Sequence, residues 1–166
     1  MAFRVRVAEA TDVPALVALM GEFYGEAGYP LPPEPAARAF QALFDDPRLG
    51  RVWLVHTDDA PAGYLVLTLG FSMEFGGPRG FVDDFFVRHS ARGKGLGAAL
   101  LATVKEACIE MGVHVLVVET GPIGDPARSI YARAGFQDSG RVLLSQALGA
   151  ALHEQHSAST GDSNAA

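Results

Sequence analysis

Phe81-Val82-Asp83-Asp84-Phe85-Phe86-Val87, continued by Arg88-His89-Ser90-Ala91-Arg92-Gly93-Lys94-Gly95-Leu96-Gly97, runs from an extended segment through a glycine loop into a helix. The first part is aromatic and β-branched, as strands are, and it carries two adjacent carboxylates. From Leu96 to Met111 the apolar residues Leu96, Leu100, Leu101, Val104, Cys108 and Met111 recur at helical spacing, with Lys105, Glu106 and Glu110 largely on the other face. That period predicts an amphipathic helix. The glycines therefore lie at a helix N-terminus, where several amides lack intrahelical acceptors and the dipole is positive. Such a place holds a phosphate or pyrophosphate on its backbone, and glycine leaves room for close approach.

Three phosphate-binding patterns compete for these residues. A Walker A loop is excluded, because Gly93-Lys94 is followed by Gly95 where Ser or Thr is required. A dinucleotide fingerprint fits loosely as Gly93, Gly95 and Ala98, with Glu119 as the ribose acid. Its context is poor, since the strand ends well before Gly93 and the remaining chain is short for further βαβ units. The third pattern, Arg/Gln-x-x-Gly-x-Gly/Ala after a strand, is met by Arg92-Gly93-Lys94-Gly95-Leu96-Gly97. A second motif follows in Asp125-Pro126-Ala127-Arg128-Ser129-Ile130-Tyr131-Ala132-Arg133-Ala134-Gly135-Phe136, of the form Ala-x-x-x-Tyr-x-x-x-Gly-Phe. In order, spacing and context these two motifs resemble the acyl-CoA loop and later tyrosine helix of the GNAT N-acetyltransferase superfamily. The carboxylate strand is similar to the Glu-Asp-Phe-Phe-Val segment of diamine acetyltransferases.

Length and composition agree with that resemblance. A chain of 166 residues, 49% hydrophobic and 19% charged, is sized for one compact domain with one core. The net charge of -6 argues against nucleic acid as a partner, because that binding depends on neutralising phosphates. No apolar run approaches the ~20 residues of a membrane span and no signal segment opens the chain, so no membrane partner and a cytoplasmic location are expected. Cys108, the single cysteine, falls on the apolar side of the long helix and reads as packing. The histidines show no metal-ligand pattern, and His153 and His156 sit beside a polar tail.

Alternation predicts a first strand over Phe3 to Ala8. A helix then begins at Thr11, with Thr11 as its cap and Pro14 in its first turn, and Gly28-Tyr29-Pro30 breaks it. A second helix is expected over Glu34 to Phe44, burying Ala37, Phe40, Leu43 and Phe44. Strands follow over Arg51 to Thr57 and Ala62 to Gly70, and a loop from Ser72 to Gly80 turns the chain into the Phe81 strand. Val113 to Glu119 reads as a strand buried on both faces, and Arg141 to Leu148 as a last strand. Residues 1–149 form a single domain, and 150–166 form a polar tail expected to be disordered. The resemblance covers roughly Phe3 to Leu148 and implies an α/β (α+β) fold, a mixed and mostly antiparallel sheet with helices on both faces.

It also implies site roles. The strand before the loop would carry a bulge and splay from its parallel neighbour, so that backbone groups of Phe85, Phe86 and Val87 pair with the pantetheine arm of acetyl-CoA. Amides of Gly93, Lys94, Gly95, Leu96, Gly97 and Ala98 would hold its pyrophosphate, with Arg92 adding a cation. Asp83 stands where a glutamate base often serves, and Asp84 is the alternative; the two alternate in facing unless a bulge intervenes. Tyr131 matches the tyrosine that protonates the leaving thiolate. Gly124 stands where many relatives have Asn. Glu22, Tyr24 and Glu74, with Phe23, Tyr29, Met73 and Phe75 nearby, would wall the acceptor pocket, and the acids suit a small-molecule or peptide amine. No metal is expected, and a homodimer is the expected assembly. Two other readings stay open: a non-catalytic acyl-CoA sensor of the same fold, and a dinucleotide-binding module.

Overall fold

The computed structural model describes residues 2–58, 60–121, 125 and 127–149. The expected tail over 150–166, Gly124, His153 and His156 lie outside the described residues. Along the chain come β1 (Phe3–Val7), α1 (Val13–Glu26), α2 (Pro33–Asp45), β2 (Gly50–Thr57), β3 (Ala60–Ser72), β4 (Gly77–Val87), α3 (Leu96–Glu110), β5 (Val115–Val118) and α4 (Ala127–Arg133). The strands form one sheet in the order β1-β2-β3-β4-β5, in which the first four are an antiparallel meander and β5 runs parallel to β4. This is the mixed, mostly antiparallel α/β (α+β) architecture that the motifs imply.

Strand alternation divides the core between the two faces. Trp53, Val55, Leu65, Leu67 and Val82 pack against Leu96, Leu100, Leu101 and Val104 of α3. Val52, Leu54, Tyr64, Val66 and Phe86 pack the other way, against Leu16, Leu19 and Met20 of α1 and Ala36 and Phe40 of α2. Successive residues of β2 thus serve opposite layers, as a two-residue period dictates. Cys108 is buried in the α3 layer, where loss of solvent pushes its thiol pKa up, which suits packing rather than nucleophilic attack.

Four expectations need correction. Thr11 does not cap α1; a 3-10 turn, Ala10–Asp12, precedes the helix, and the Asp12 carboxylate accepts from the Glu9 N–H at 2.8 Å. Asp12 is also clamped by Arg6 of β1 at 2.7 Å, so the stronger charge-assisted acceptor fixes the helix entry. Ala36, rather than Ala37, is the fully buried alanine of α2. The last strand over Arg141 to Leu148 is absent among the described residues: that stretch joins no ladder, and Val142, Leu143, Leu144 and Leu148 are exposed. Strand propensity is mostly the gain from a paired, packed neighbour, and no described strand accepts this segment. For the same reason β5 is shorter than predicted and only half-buried, lying at the edge of the described sheet.

Two glycines give opposite mutational expectations. A Cβ on Gly63 in β3 would collide with the Phe86 carbonyl oxygen and lie 3.0 Å from Val87 Cα, both backbone atoms that cannot move without opening the β3–β4 ladder. Gly63→Ala should therefore destabilise by about 3 kcal/mol. Gly21, exposed within α1, has nothing within 4 Å of its ideal Cβ. Gly21→Ala should stabilise by roughly 0.5–1 kcal/mol, because alanine loses less backbone entropy. Urea unfolding midpoints check both signs.

Candidate active site

The site is organised by an irregularity in β4. Leu67 of β3 lies opposite Val82, but the next residue back, Val66, lies opposite Asp84, so Asp83 is the extra residue of a β-bulge. The bulge inverts facing along the strand. Val82 packs in the α3 layer, whereas Asp84 and Phe86 belong to the α1–α2 side. Asp83 lines a cavity with Thr68 and Phe81 on that same side. The bulge that the resemblance implies is present, and it cancels the alternation of the two aspartates, so that both carboxylates serve one face.

The bulge also ends the parallel pairing. β4 meets β5 only from Arg79 to Val82, against Val115 to Val118. Beyond it, Phe85, Phe86 and Val87 remain paired with β3 alone. In an antiparallel ladder alternate residues turn their backbone groups to the neighbour. Arg88 N–H donates to Ala62 O at 2.9 Å, so Phe86 shares that bonded side, while Phe85 presents its N–H and C=O, and Val87 its N–H, to the side that β5 has left.

At the end of this opening stands the N-terminus of α3. Gly93 (φ 75°) and Gly95 (φ 85°) are both left-handed, with nothing within 4 Å of an ideal Cβ, so they shape the turn and leave open space above it. The first helical bond runs from Ala99 N–H to Gly95 O at 3.0 Å, which puts the amides of Leu96, Gly97 and Ala98 ahead of the ladder. Gly97 serves packing instead, since a Cβ there would come within 2.8 Å of Ile130 Cδ1 and 3.1 Å of Phe85 Cζ. Its bare backbone lets α3 approach α4 and β4. Lys94 folds its ammonium onto Ser90 O at 2.8 Å.

Arg92 is committed inward. Its guanidinium donates to Val87 O at 2.8 Å, pairs with Glu26 at 2.6 Å and lies 5.6 Å from the centre of the Phe86 ring. It ties the end of β4 to α1. Glu22 is similarly engaged, gripped by Arg88 at 2.7 Å, and Glu74 in the β3–β4 turn is held by Arg141 at 2.6 Å. Neither glutamate lines the Asp83 cavity. Phe23 stacks on Phe86, while Met73 and Phe75 are exposed.

Tyr131 of α4 is buried between Phe85 and Phe136, at ring distances of 5.9 and 5.6 Å. Burial, with Asp125 nearby, pushes its phenol up to about 12, so the hydroxyl is protonated at neutral pH. Asp84 is 8% exposed and accepts from Tyr64 OH at 2.9 Å and Tyr24 OH at 3.4 Å. Burial raises its pKa to about 6, with the Asp83 charge adding to the rise and the two phenols opposing it. Both phenols are in turn pushed above their usual range, mainly by burial and then by the Asp84 charge. Asp83 is accessible but set in a concavity, and partial desolvation raises its pKa too.

Sequence reasoning does not single out Tyr64, Thr68 or Arg79. For Tyr64 there is a signal, a phenol inside an otherwise apolar strand, which needs a buried polar partner. The Asp83 cavity holds about 230 Å³ and is completed by Thr68, Leu69, Gly70, Arg79 and Phe81. Among the described residues no group of three or more His, Cys, Asp or Glu could hold a metal, and no helix is long and apolar enough to cross a membrane.

A bulged strand parting from its parallel neighbour over a glycine-bearing helix start defines an acyltransferase fold of the kind the two motifs imply. The acetyltransferase (GNAT) family model matches residues 15–136. An L-methionine sulfoximine/L-methionine sulfone acetyltransferase of Pseudomonas aeruginosa is 31% identical over 145 residues, covering 86% of this chain and 84% of that protein. A probable glucosamine 6-phosphate N-acetyltransferase of Oryza sativa subsp. japonica is 31% identical over 147 residues, covering 82% and 83%. Among solved structures, an integron cassette protein from the mobile metagenome of Cole Harbour Salt Marsh is 59% identical, with TM-score 0.83 over 90% of this chain and 93% of that one. An aminoglycoside N-acetyltransferase in complex with CoA, 15% identical with TM-score 0.76 over 89% and 96%, shares the fold. The chain belongs to the GNAT acetyltransferase family, and these relatives support N-acetyltransferase activity in general.

The buried carboxylate makes a pH-dependent contribution to stability. Asp84 titrates near pH 6 when folded and near 3.8 as a free side chain, so between those values the folded state binds more protons. Its contribution therefore falls as pH rises through that window, by an amount on the order of a few kcal/mol. Asp84→Asn should remove this slope and gain stability relative to wild type above pH 6. The difference between the two proteins' urea midpoints from pH 4 to 8 isolates it from the other carboxylates.

Proposed function

We propose that this chain moves an acetyl group from acetyl-CoA to the primary amine of a small molecule, by direct attack within a ternary complex. The observation that carries the reading is the opening beside Phe85 and Val87, bounded by the bulge at Asp83 and the open glycine turn of α3. An extended arm would add to β4 there as a strand would, bonding to the backbone of Phe85 and Val87. The pyrophosphate would rest on the amides from Gly93 to Ala98, at the positive end of α3. Acetyl-CoA supplies an activated thioester.

The residues around that opening divide the proton transfers. A lysine-like amine, with a pKa near ~10.4, is mostly protonated at neutral pH and must lose a proton before its lone pair can attack. Asp83 takes that proton, directly or through a water, since it is the accessible carboxylate and its pKa is raised. Asp84, with both oxygens engaged by phenols, holds the bulge in place. As the C–N bond forms, a backbone amide near the bulge stabilises negative charge on the acyl oxygen. As the C–S bond breaks, Tyr131 donates to the sulfur that carries away the electron pair, and the second proton shed by the nitrogen restores the phenol. Its phenol at about 12 stays protonated through the neutral range and is ready to donate.

Thermal shift with acetyl-CoA against NAD, joined to a free-thiol assay over an amine panel, tests the reading. Stabilisation by acetyl-CoA together with thiol release is expected; stabilisation by NAD alone defeats it, and acetyl-CoA binding without turnover favours a sensor. Tyr131→Phe should lower kcat at least tenfold while leaving acetyl-CoA affinity within about twofold, and unchanged turnover would remove Tyr131 from the donor role. Gly95→Asp should abolish acetyl-CoA stabilisation, by placing bulk and negative charge at the phosphate position.

A further inference from the structure

We infer that the acceptor is a small α-amino acid, held by its carboxylate on Arg79 while its amine faces Asp83. The inference rests on the acetyl-transfer reading above and narrows its substrate. Arg79 and Asp83 line one cavity and form no ion pair with each other. Arg79 makes no ion pair or side-chain hydrogen bond among the described residues; Arg4, Arg38, Arg51 and Arg133 likewise form no ion pair there, but of these five only Arg79 lines the Asp83 cavity. A cation and an anion are thus presented to the same space, each lacking a protein counter-charge. A zwitterion supplies both.

Arg79 and Asp83 are four strand positions apart on β4, roughly 13 Å between their backbones at about 3.3 Å per residue, a gap that the two side chains and a zwitterion between them would share. Gly70 lies directly across the ladder from Arg79, and the guanidinium nitrogen stands 3.9 Å from its ideal Cβ position. The floor beneath the arginine is therefore bare backbone. Thr68 pairs across from Phe81 and adds a hydroxyl donor, while the Phe81 ring offers an apolar wall for a side chain. The cavity holds about 230 Å³, enough for a small ligand.

Charge excludes the main competitors. A diamine or polyamine, which the carboxylate strand alone would suggest, brings a second cation toward Arg79. The acids that would otherwise draw it, Glu22 and Glu74, are neutralised by Arg88 and Arg141. A peptide N-terminus has an amide where an amino acid has its carboxylate, leaving the guanidinium without its bidentate partner.

The transfer itself is unchanged. The amino acid's ammonium gives one proton to Asp83 and so to solvent, its nitrogen forms the C–N bond, the C–S bond breaks with its electron pair left on sulfur, Tyr131 donates a proton to that sulfur, and the second proton shed by the nitrogen restores the phenol. Products are the N-acetylamino acid and CoA.

The test compares kcat/KM for each of the common L-amino acids with that for its own carboxamide and decarboxylated amine, in wild type, Arg79→Met and Arg79→Lys. Expected is at least one amino acid favoured tenfold or more over both analogues, chiefly through KM. The ratio should fall toward one in Arg79→Met and be partly restored in Arg79→Lys. The carboxamide has the less basic amine, so the comparison is biased against the proposal. Equal or better turnover of the analogues overturns it, as does discrimination that survives Arg79→Met. Arg79 is exposed, and matching urea midpoints would show that its variants fold. Acetyl-CoA stabilisation with turnover of no amino acid overturns the acceptor assignment and leaves the cofactor reading standing. Loss of acetyl-CoA stabilisation in wild type defeats the transferase reading itself. The amino-acid site is then decided by ligand-observed NMR, in which binding of an L-amino acid but not its amide, lost in Arg79→Met, is required.

Discussion

One inserted residue in β4 determines most of what this protein can do. Without the bulge at Asp83, β4 would keep a strict two-residue period, Val82 and Asp84 would share a face, and a carboxylate would enter the α3 layer beside Leu100 and Val104. The insertion sends Asp84 to the phenols instead, sets Asp83 beside it, and stops the pairing with β5. In the proposed reaction, acceptor chemistry and cofactor access would therefore arise from the same backbone irregularity. Strengthening the parallel ladder past Val82 would close the opening and misplace the acids in one step.

Burying Asp84 is the energetic cost of that arrangement. A carboxylate 8% exposed would be strongly unfavourable alone, and two tyrosine hydroxyls from different elements offset part of the loss. Tyr64 arrives from β3 and Tyr24 from α1, so the same bonds join the sheet to the helix layer. Rigidity follows where it is useful. The residue before Asp84, which carries the accessible acid, is held on one side by a bulge and on the other by a buried network.

The glycine loop and tyrosine helix were legible in the sequence because each depends on local requirements. Gly93 and Gly95 are needed for left-handed backbone, and the spacing from Leu96 onward is helical whatever lies opposite. The bulge was legible only through the family resemblance, since no residue type in Phe81 to Val87 encodes an extra position. The carboxylate partners were not legible at all: Glu22 meets an arginine 66 residues away, and Glu74 one 67 residues away. In the sequence both acids look free to attract a cation, whereas folding neutralises them. Arg141 to Leu148 failed in the opposite sense, having the residues of a strand without a described neighbour to pair with.

The distribution of arginines carries the functional argument further than net charge does. At -6 the chain is acidic overall, and a cationic acceptor is the simple electrostatic expectation. Locally the field differs. Arg92 and Arg88 fasten the end of β4 to α1, and Arg141 reaches the β3–β4 turn, which leaves Arg79 as the cation facing the Asp83 cavity. Arg79 lies before the bulge and Asp83 at it, on a strand whose far end parts from β5. In the proposed reaction the position of the inserted residue would set the distance between cation and base, and with it the separation of carboxylate and amine that a substrate must match. Specificity and reactivity would thereby be tied to one register, and a relative that moved its bulge by a residue would have to change its acceptor as well.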